Sequence, residues 1–484
     1  MITEFLHSTL NEAGDAASAL IYGVTMTKAF DAIIIGAGQA GPSLAGRLTK
    51  AGMKVLMVER KLFGGTCVNT GCMPTKTLVA SAYAAHLASR AADFGIVIDA
   101  PVRIDMKRVK QRADTVSFNA RTGVEKFLRS MDGCTVVQGH ARFTGPHEIE
   151  IDGEGFTAPR IFLNVGGRAN VPDMPGIEDI DYLTNTSILE LDEVPKHLVV
   201  VGGSYIGLEF AQMYRRFGAK VTIVEKSSRL ISREDDDISE AIKQILEGEG
   251  IVIRADAECI SFKRHAEGVE VGVDCTAGAP SVVGSDVLLA IGRRPNTDDL
   301  GVDKAGIELD ERGYIKVDDQ LETNVAGVWA IGDCNGRGAF THTAYNDFEI
   351  IAANLLDGES RKVSDRVLGY ALYIDPPLGR VGMSEAQARK TGRPLLASKR
   401  PMTHVGRAVE KDETQGFMKV VVDAQTQKIL GAAILGTGGD EAIHGILDIM
   451  NVDATYSQLK WAVPIHPTVS ELIPTLLGDL EVAK

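Results

Sequence analysis

Apolar residues gather in short runs that break at glycine-rich turns and give way to helical spacing. Ala32, Ile33, Ile34 and Ile35 form a short apolar strand, followed by Gly36-Ala37-Gly38-Gln39-Ala40-Gly41 and a helical pattern marked by Leu44 and Leu48. The next apolar strand, residues 55–58, ends at Glu59. The succession then recurs: residues 198–201, Gly202-Gly203-Ser204-Tyr205-Ile206-Gly207, a helix, and residues 221–224 ending at Glu225. In both copies 23 residues separate the first glycine from the strand-end acid, which an arbitrary glycine turn does not produce. Residues 73–90 are rich in Ala, Leu and Lys, with no Gly or Pro after Pro74, and predict a long helix with Pro in its first turn. Residues 105–129 predict a mostly polar helix with an apolar stripe. From about Asp365 the pattern changes to alternating strands at 417–422 and 429–435 with a helix at 441–450, a third domain of α+β type.

The repeated unit has a chemical reading. Its glycines permit a tight turn, close approach of backbone to a pyrophosphate and close helix packing, and the helix N-terminus attracts the phosphates. One such trio is a weak signal, but two in the same register predict two dinucleotide-binding domains, the first built on Gly36, Gly38, Gly41 and Glu59. The second is built on Gly202, Gly203, Ile206, Gly207 and Glu225, with Ser204 in place of the middle glycine. Glu59 and Glu225 stand where a carboxylate accepts hydrogen bonds from a ribose. A carboxylate at Glu225 prefers the free 2'-hydroxyl of NADH over the 2'-phosphate of NADPH, although Lys226 and Arg229 follow closely and leave NADPH possible.

Size and charge narrow the class. A chain of 484 residues predicts about three domains. A net charge of -14 argues against nucleic acid or an acidic membrane surface as partner, and no apolar run approaches the ~20 residues a membrane helix needs. Residues 1–25 lack the basic start of a signal peptide and are expected to be a poorly ordered extension, with Met26 a candidate start. Six cysteines are no disulfide scaffold for so long a chain, so a reducing compartment, the cytoplasm, is expected. Cys134, Cys259, Cys275 and Cys334 are then expected to be buried or inert thiols. The acidic run Glu234-Asp235-Asp236-Asp237 admits a metal site but reads better as a solvated helix start.

The chemical centre is Gly64-Gly65-Thr66-Cys67-Val68-Asn69-Thr70-Gly71-Cys72-Met73-Pro74-Thr75-Lys76. Asn69, Thr70 and Gly71 are turn formers that allow Cys67 and Cys72 to come within bonding reach at the mouth of the long helix. The helix N-terminus favours a thiolate there, and Lys76, four residues past Cys72, adds a fixed positive charge on the same face. A redox disulfide, a structural disulfide and half of a zinc site are the candidate readings. No second close Cys pair completes a tetrahedral site.

This stretch resembles the active-site signature of the flavin-dependent pyridine nucleotide-disulfide oxidoreductases: glutathione reductase, dihydrolipoamide dehydrogenase, mercuric reductase and their relatives. The resemblance extends over nearly the whole chain. It implies an α/β fold of two Rossmann-like dinucleotide-binding domains plus a C-terminal α+β dimerisation domain. Residues 26–165 and 290–364 would make the FAD-binding domain in two parts, 166–289 the NAD(P)-binding domain and 365–484 the dimerisation domain. It implies that Cys67 exchanges with substrate while Cys72 sits against the flavin. FAD contacts would come from Gly36, Gly38, Gly41, Glu59, Gly65, Thr66, Lys76, Ala141, Gly332, Asp333 and Thr341. The segment Ala290-Ile291-Gly292 resembles the crossover back from the nicotinamide domain. In the opposite crossover, Asn164-Val165-Gly166-Gly167 departs from the family's pattern. Tyr205 matches a tyrosine that gates the nicotinamide pocket, and Glu209 one that pairs with the lysine at Lys76. His466 and Glu471 resemble a His-Glu dyad that reaches the disulfide of a partner subunit, with Pro467 expected to start the helix that carries Glu471. The implied enzyme is a homodimer with a shared active site.

The resemblance leaves the substrate open. Residues 340–347 and 402–407 look most like mercuric reductases, yet the sequence lacks their C-terminal cysteine pair and N-terminal metal domain. A disulfide or low-molecular-weight thiol substrate is therefore expected. Hg(II) or Cu(II) reduction and a dihydrolipoamide dehydrogenase-like subunit of a larger complex are the alternatives. No resident metal is expected.

Overall fold

The computed structural model describes residues 27–273 and 279–483, so the expectations for residues 1–25 and for Cys275 lie outside the described residues. The chain divides into two compact units.

The first unit takes the residues up to Asn69 together with Phe118–Arg168 and Arg294–Ser364. At its centre is a five-stranded parallel sheet in the order Val328–Ala330, Ile161–Leu163, Ala32–Ile35, Val55–Glu59, Cys134–Gln138. The earliest of these strands is central, so the order reverses beside Ala32–Ile35, and the first glycine turn leaves the sheet at this switch point. The strand is apolar throughout because both its faces are covered. Ala32 and Ile34 join a core with Leu44, Leu48, Phe162 and Ile351. Ile33 and Ile35 join one with Phe143, Ile149 and Phe156. That second face is covered by a four-stranded sheet of Lys28–Ala29, Glu154–Thr157, Glu148–Ile151 and Arg142–Gly145.

The second unit comprises Thr70–Ser117, Ala169–Arg293 and Asp365–Lys484. It repeats the plan with a four-stranded parallel sheet in the order Val252–Arg254, Lys220–Val224, His197–Val201, Asp286–Leu289. A three-stranded antiparallel sheet, Ser261–His265, Gly268–Gly272 and Ser281–Gly284, covers one face through Phe262, Val269 and Val271. On the other face lie the helices Tyr205–Phe217 and Asp236–Gly248. The helix Cys72–Ser89 packs here too, its Leu78 and Ala82 sharing a core with Leu198, Val200 and Leu208. The alternating pattern after residue 365 becomes a six-stranded antiparallel sheet, with Ile429–Leu435 and Phe417–Asp423 as inner strands and Ile473–Gly478 packed on it. The predicted polar helix forms as Met106–Arg129, Asp105 capping it by accepting from the Arg108 N–H at 3.1 Å. Met106 and Ala113 belong to the core of the second unit, and Leu128 to that of the first.

Candidate active site

The first glycine turn is built so that side chains do not fit. Gly36 has φ +107°, and a Cβ there would lie 2.2 Å from the Asn164 carbonyl oxygen; one at Gly41 would lie 2.5 Å from the Gly36 oxygen. Asn164, uninterpreted in the sequence, holds this turn. It is buried and donates through Nδ2 to the Gly36 carbonyl at 2.9 Å. Glu59 is buried, and its carboxylate accepts from the Ala37 N–H at 2.9 Å and the Lys61 N–H at 2.8 Å. Gly65, at φ +63°, starts the short helix Gly65–Asn69 that carries Thr66 and Cys67, and a Cβ on it would meet the Gly38 Cα at 2.8 Å. The Asn69 side chain donates to the carbonyls of Phe63 and Gly65, both at 2.9 Å, tying that helix to its own entry. Ala141 is buried at the head of Arg142–Gly145. Gly332 and Asp333 lie in the turn Gly332–Asn335, whose first N–H donates to buried Asp347 at 2.8 Å, and Thr341 opens the helix Thr341–Leu356. Asp347 was not singled out in the sequence, though it lies in the polar run that contains Thr341.

The second glycine turn repeats these contacts. A Cβ on Gly202 would meet the Ala290 oxygen at 2.4 Å, and one on Gly207 the Gly202 oxygen at 2.1 Å. Glu225 accepts from the Gly203 N–H, as Glu59 does from Ala37, and from the Ser227 N–H at 2.7 Å. Ala290 therefore occupies the place that Asn164 has in the first copy. Its short side chain explains Ser204: a Cβ on Gly38 would lie 3.3 Å from the Asn164 amide, whereas exposed Ser204 sits with extended backbone at φ -114°. A cleft between this turn and Arg229 and Arg233 is lined by Glu225, and Arg229 is ion-paired with Asp236. Gly292, at φ +104°, accepts from the Asn170 N–H at 3.0 Å on the chain's return.

Cys72 is the first residue of Cys72–Ser89, with Pro74 in the first turn. One turn on, Lys76 Nζ lies 2.7 Å from Glu209 Oε2, four residues past Tyr205 in Tyr205–Phe217. The other Glu209 oxygen accepts from the Tyr373 N–H at 3.0 Å, and the Tyr373 ring lies 4.7 Å from the Lys76 ammonium. Tyr373 was invisible in the sequence, where nothing links residue 373 to residue 76. Near the C-terminus His466 Nδ1 is 2.8 Å from Glu471 Oε2, with the imidazole 80% exposed and the carboxylate 12%.

Two expectations need correction. Pro467 starts no helix: the chain turns through Ser470–Leu472, and the helix Ile473–Gly478 begins beyond Glu471. The acidic run is not a solvated helix start. Asp236 does begin Asp236–Gly248, but Glu234 and Asp235 are buried against Arg380, and Asp235 also accepts the backbone N–H groups of Glu385 and Ala386. Of the cysteines expected to be buried or inert, Cys334 is fully buried and burial pushes its thiol up to about 12, while Cys259 is exposed. Cys134 is half-buried and its thiol is pushed up to about 11.

Residues 30–347 match the family described as pyridine nucleotide-disulphide oxidoreductase, and residues 369–477 match its dimerisation domain. The chain belongs to the pyridine nucleotide-disulphide oxidoreductase family. It is 36% identical over 469 residues to the probable pyridine nucleotide-disulfide oxidoreductase RclA of Escherichia coli (strain K12), covering 93% of this chain and 99% of the relative. It is 34% identical over 448 residues to a dihydrolipoyl dehydrogenase of Thermus scotoductus, covering 92% and 96%. With a mercuric reductase of Bacillus cereus it shares 32% over 460 residues, covering 94% and 72%. Among solved structures, the HOCl-induced flavoprotein disulfide reductase RclA from Escherichia coli has a TM-score of 0.84 at 36% identity, over 93% of this chain and 99% of that one. A Cu(II) complex of RclA has a TM-score of 0.85 at 35% identity, over 94% and 99%.

As a member of this family the protein is an FAD-dependent oxidoreductase that uses NAD(P)H, and its dimerisation domain supports a homodimer. The glycine turns fit that assignment. At Gly36, Gly41, Gly202 and Gly207 the space a Cβ would need is filled by backbone, so each turn is tight enough for a pyrophosphate to approach the N-terminus of the helix that follows. Among the described residues no helix is long and apolar enough to cross a membrane, and no cluster of three or more His, Cys, Asp or Glu could hold a metal ion.

Proposed function

We propose that this oxidoreductase passes electrons from NADH, through FAD, to a redox disulfide of Cys67 and Cys72, and on to the disulfide of a low-molecular-weight thiol. The observation that carries the proposal is the His466 and Glu471 dyad: Glu471 fixes Nδ1 at 2.8 Å and leaves Nε2 of an exposed ring to exchange a proton. Trp461, Val463 and Ile465 beside it are 79%, 96% and 79% exposed, an apolar segment suited to burial against a second copy of the chain. In such a dimer His466 of one copy serves Cys67 of the other. The first unit, with Gly332, Asp333 and Thr341, holds FAD, and the second, with Gly203 and Glu225, holds the nicotinamide cofactor. Glu225 at the cleft and the neutralisation of Arg229 by Asp236 favour NADH over NADPH.

Bound FAD would take a hydride from the nicotinamide and supply an electron pair to the disulfide. Tyr205 covers the nicotinamide pocket and moves aside when NADH enters. Lys76, held by Glu209, places a positive charge one turn from Cys72. Two electrons and a proton open the Cys67 to Cys72 bond to a thiol and a thiolate. The Cys67 thiolate attacks one substrate sulfur, forming a mixed disulfide, and protonated His466 gives its proton to the departing thiolate. Cys72 then attacks the Cys67 sulfur, releasing the second thiol and restoring the internal disulfide. The low cysteine count suits a cytoplasmic setting.

A second reading, reduction of Cu(II) or Hg(II), draws on the Cu(II) complex of RclA and the likeness to mercuric reductases. A steady-state panel of glutathione disulfide, lipoamide, Cu(II) and Hg(II) with NADH and with NADPH separates the two. Turnover of a disulfide, abolished in Cys72→Ser and about 10²-fold slower in His466→Gln with flavin reduction by NADH unaffected, supports the proposal. Turnover of metal ions alone, or equal loss of both half-reactions in His466→Gln, overturns it.

A further inference from the structure

The buried acidic residue that the sequence left as a solvated helix start reaches the nicotinamide side of the molecule through one tyrosine. Tyr370, in Gly369–Leu372, lies directly across the antiparallel pair from Arg380, so both side chains approach buried Glu234. Arg380 donates to Glu234 Oε2 through Nε at 3.0 Å, and the Tyr370 hydroxyl donates to Oε1. The Arg380 and Glu234 side chains are 3% and 0% exposed, and Asp235 and Lys419 pack beside them, so the acceptor for Tyr370 is fixed. On its other side Tyr370 meets Tyr205: the rings stand edge to face at 84° with centroids 5.5 Å apart, and the two hydroxyls are hydrogen-bonded. A phenol carries one proton. With the Tyr370 proton committed to Glu234, the Tyr205 hydroxyl donates to Tyr370.

We propose that Tyr370 is a latch: anchored by Glu234 and Arg380, it holds Tyr205 in the closed position and sets how readily the nicotinamide cofactor enters. This rests on the proposed role of Tyr205 as the cover of that pocket. Swinging Tyr205 away breaks the hydrogen bond to Tyr370 and the edge-to-face contact, and that cost is subtracted from the affinity for the nicotinamide cofactor. Tyr370 is a positioning residue and acts only through Tyr205. The buried ion pair makes the latch rigid, because Glu234 cannot follow a moving tyrosine without leaving Arg380.

The test is calorimetric titration of NAD+ into the FAD-loaded dimer, with the rate of flavin reduction by NADH measured in parallel. Tyr370→Phe keeps the ring and removes the acceptor; Tyr205→Phe removes the donor. Each is expected to tighten NAD+ binding about fivefold, the effect of one net hydrogen bond, and the double variant by no more than either alone. Tyr205→Ala, which removes the cover, reports on the underlying assignment. The latch is overturned if Tyr205→Ala changes NAD+ affinity while Tyr370→Phe and Tyr205→Phe do not. If Tyr205→Ala is also without effect, the gating role fails and the latch with it. Should Tyr370→Phe fold poorly, Tyr205→Phe breaks the same bond from the other end and decides alone.

Discussion

Removing the ammonium of Lys76 isolates what its pair with Glu209 contributes. Lys76→Met keeps the length of the side chain and a favourable contact with the Tyr373 ring, so the main loss is the charge. Glu209 is 6% exposed and would keep only the Tyr373 N–H as donor, whereas Lys76 is 34% exposed and partly screened by water. Breaking a fully buried pair costs about 3–5 kcal/mol, and an exposed pair contributes about 0–1. For one buried and one screened partner we expect about 2 kcal/mol, a fall in melting temperature of roughly 2 °C for a chain of this size. Glu209→Gln should cost about 1 kcal/mol, because the freed ammonium can turn to solvent. The double variant should be less destabilised than the sum by about 1 kcal/mol or more. The assay is thermal unfolding of the four proteins at saturating FAD. Additivity within about 0.5 kcal/mol would refute the coupling, since that is the behaviour of independent sites.

The packing of the first glycine turn predicts that Gly41→Ala, whose Cβ meets the Gly36 oxygen at 2.5 Å, purifies without flavin, whereas Gly38→Ala, facing only the Asn164 amide at 3.3 Å, retains part of it; the absorbance ratio of bound flavin to protein measures both. The buried Cys334 thiol, which donates to the carbonyls of Leu163 and Ile331, should resist iodoacetamide in the native protein at pH 8.5 while reacting after unfolding. Its folded value of about 12 lies above the ordinary 9.0, so folding keeps a proton that the unfolded chain releases. The stability this gives is complete below about pH 9 and is lost as pH rises toward about 12. Wild type should therefore lose stability faster than Cys334→Ala between pH 9 and 10.5 in urea titrations, and equal slopes would contradict the burial effect.

What the sequence determined by itself were features written in local spacing. The two glycine turns and their strand-end acids follow from 23-residue periods, and the cysteine helix from its Pro-led start and freedom from glycine. The pairing of Lys76 with Glu209 came through likeness to a family, since residues 133 apart carry no mutual signal in one chain. Tertiary structure alone decided the rest. Asn164 gained its place under Gly36 because sheet order brings Ile161–Leu163 beside Ala32–Ile35. Ser204 became acceptable because its opposite number is Ala290 and not a second asparagine. The acids at Glu234 and Asp235 looked solvated because charge runs usually are; only the distant strands that carry Arg380 and Lys419 supply the buried cations that make their desolvation tolerable. Periodicity and turn chemistry act over a few residues, whereas the partners of a buried charge are chosen by which distant strands lie side by side.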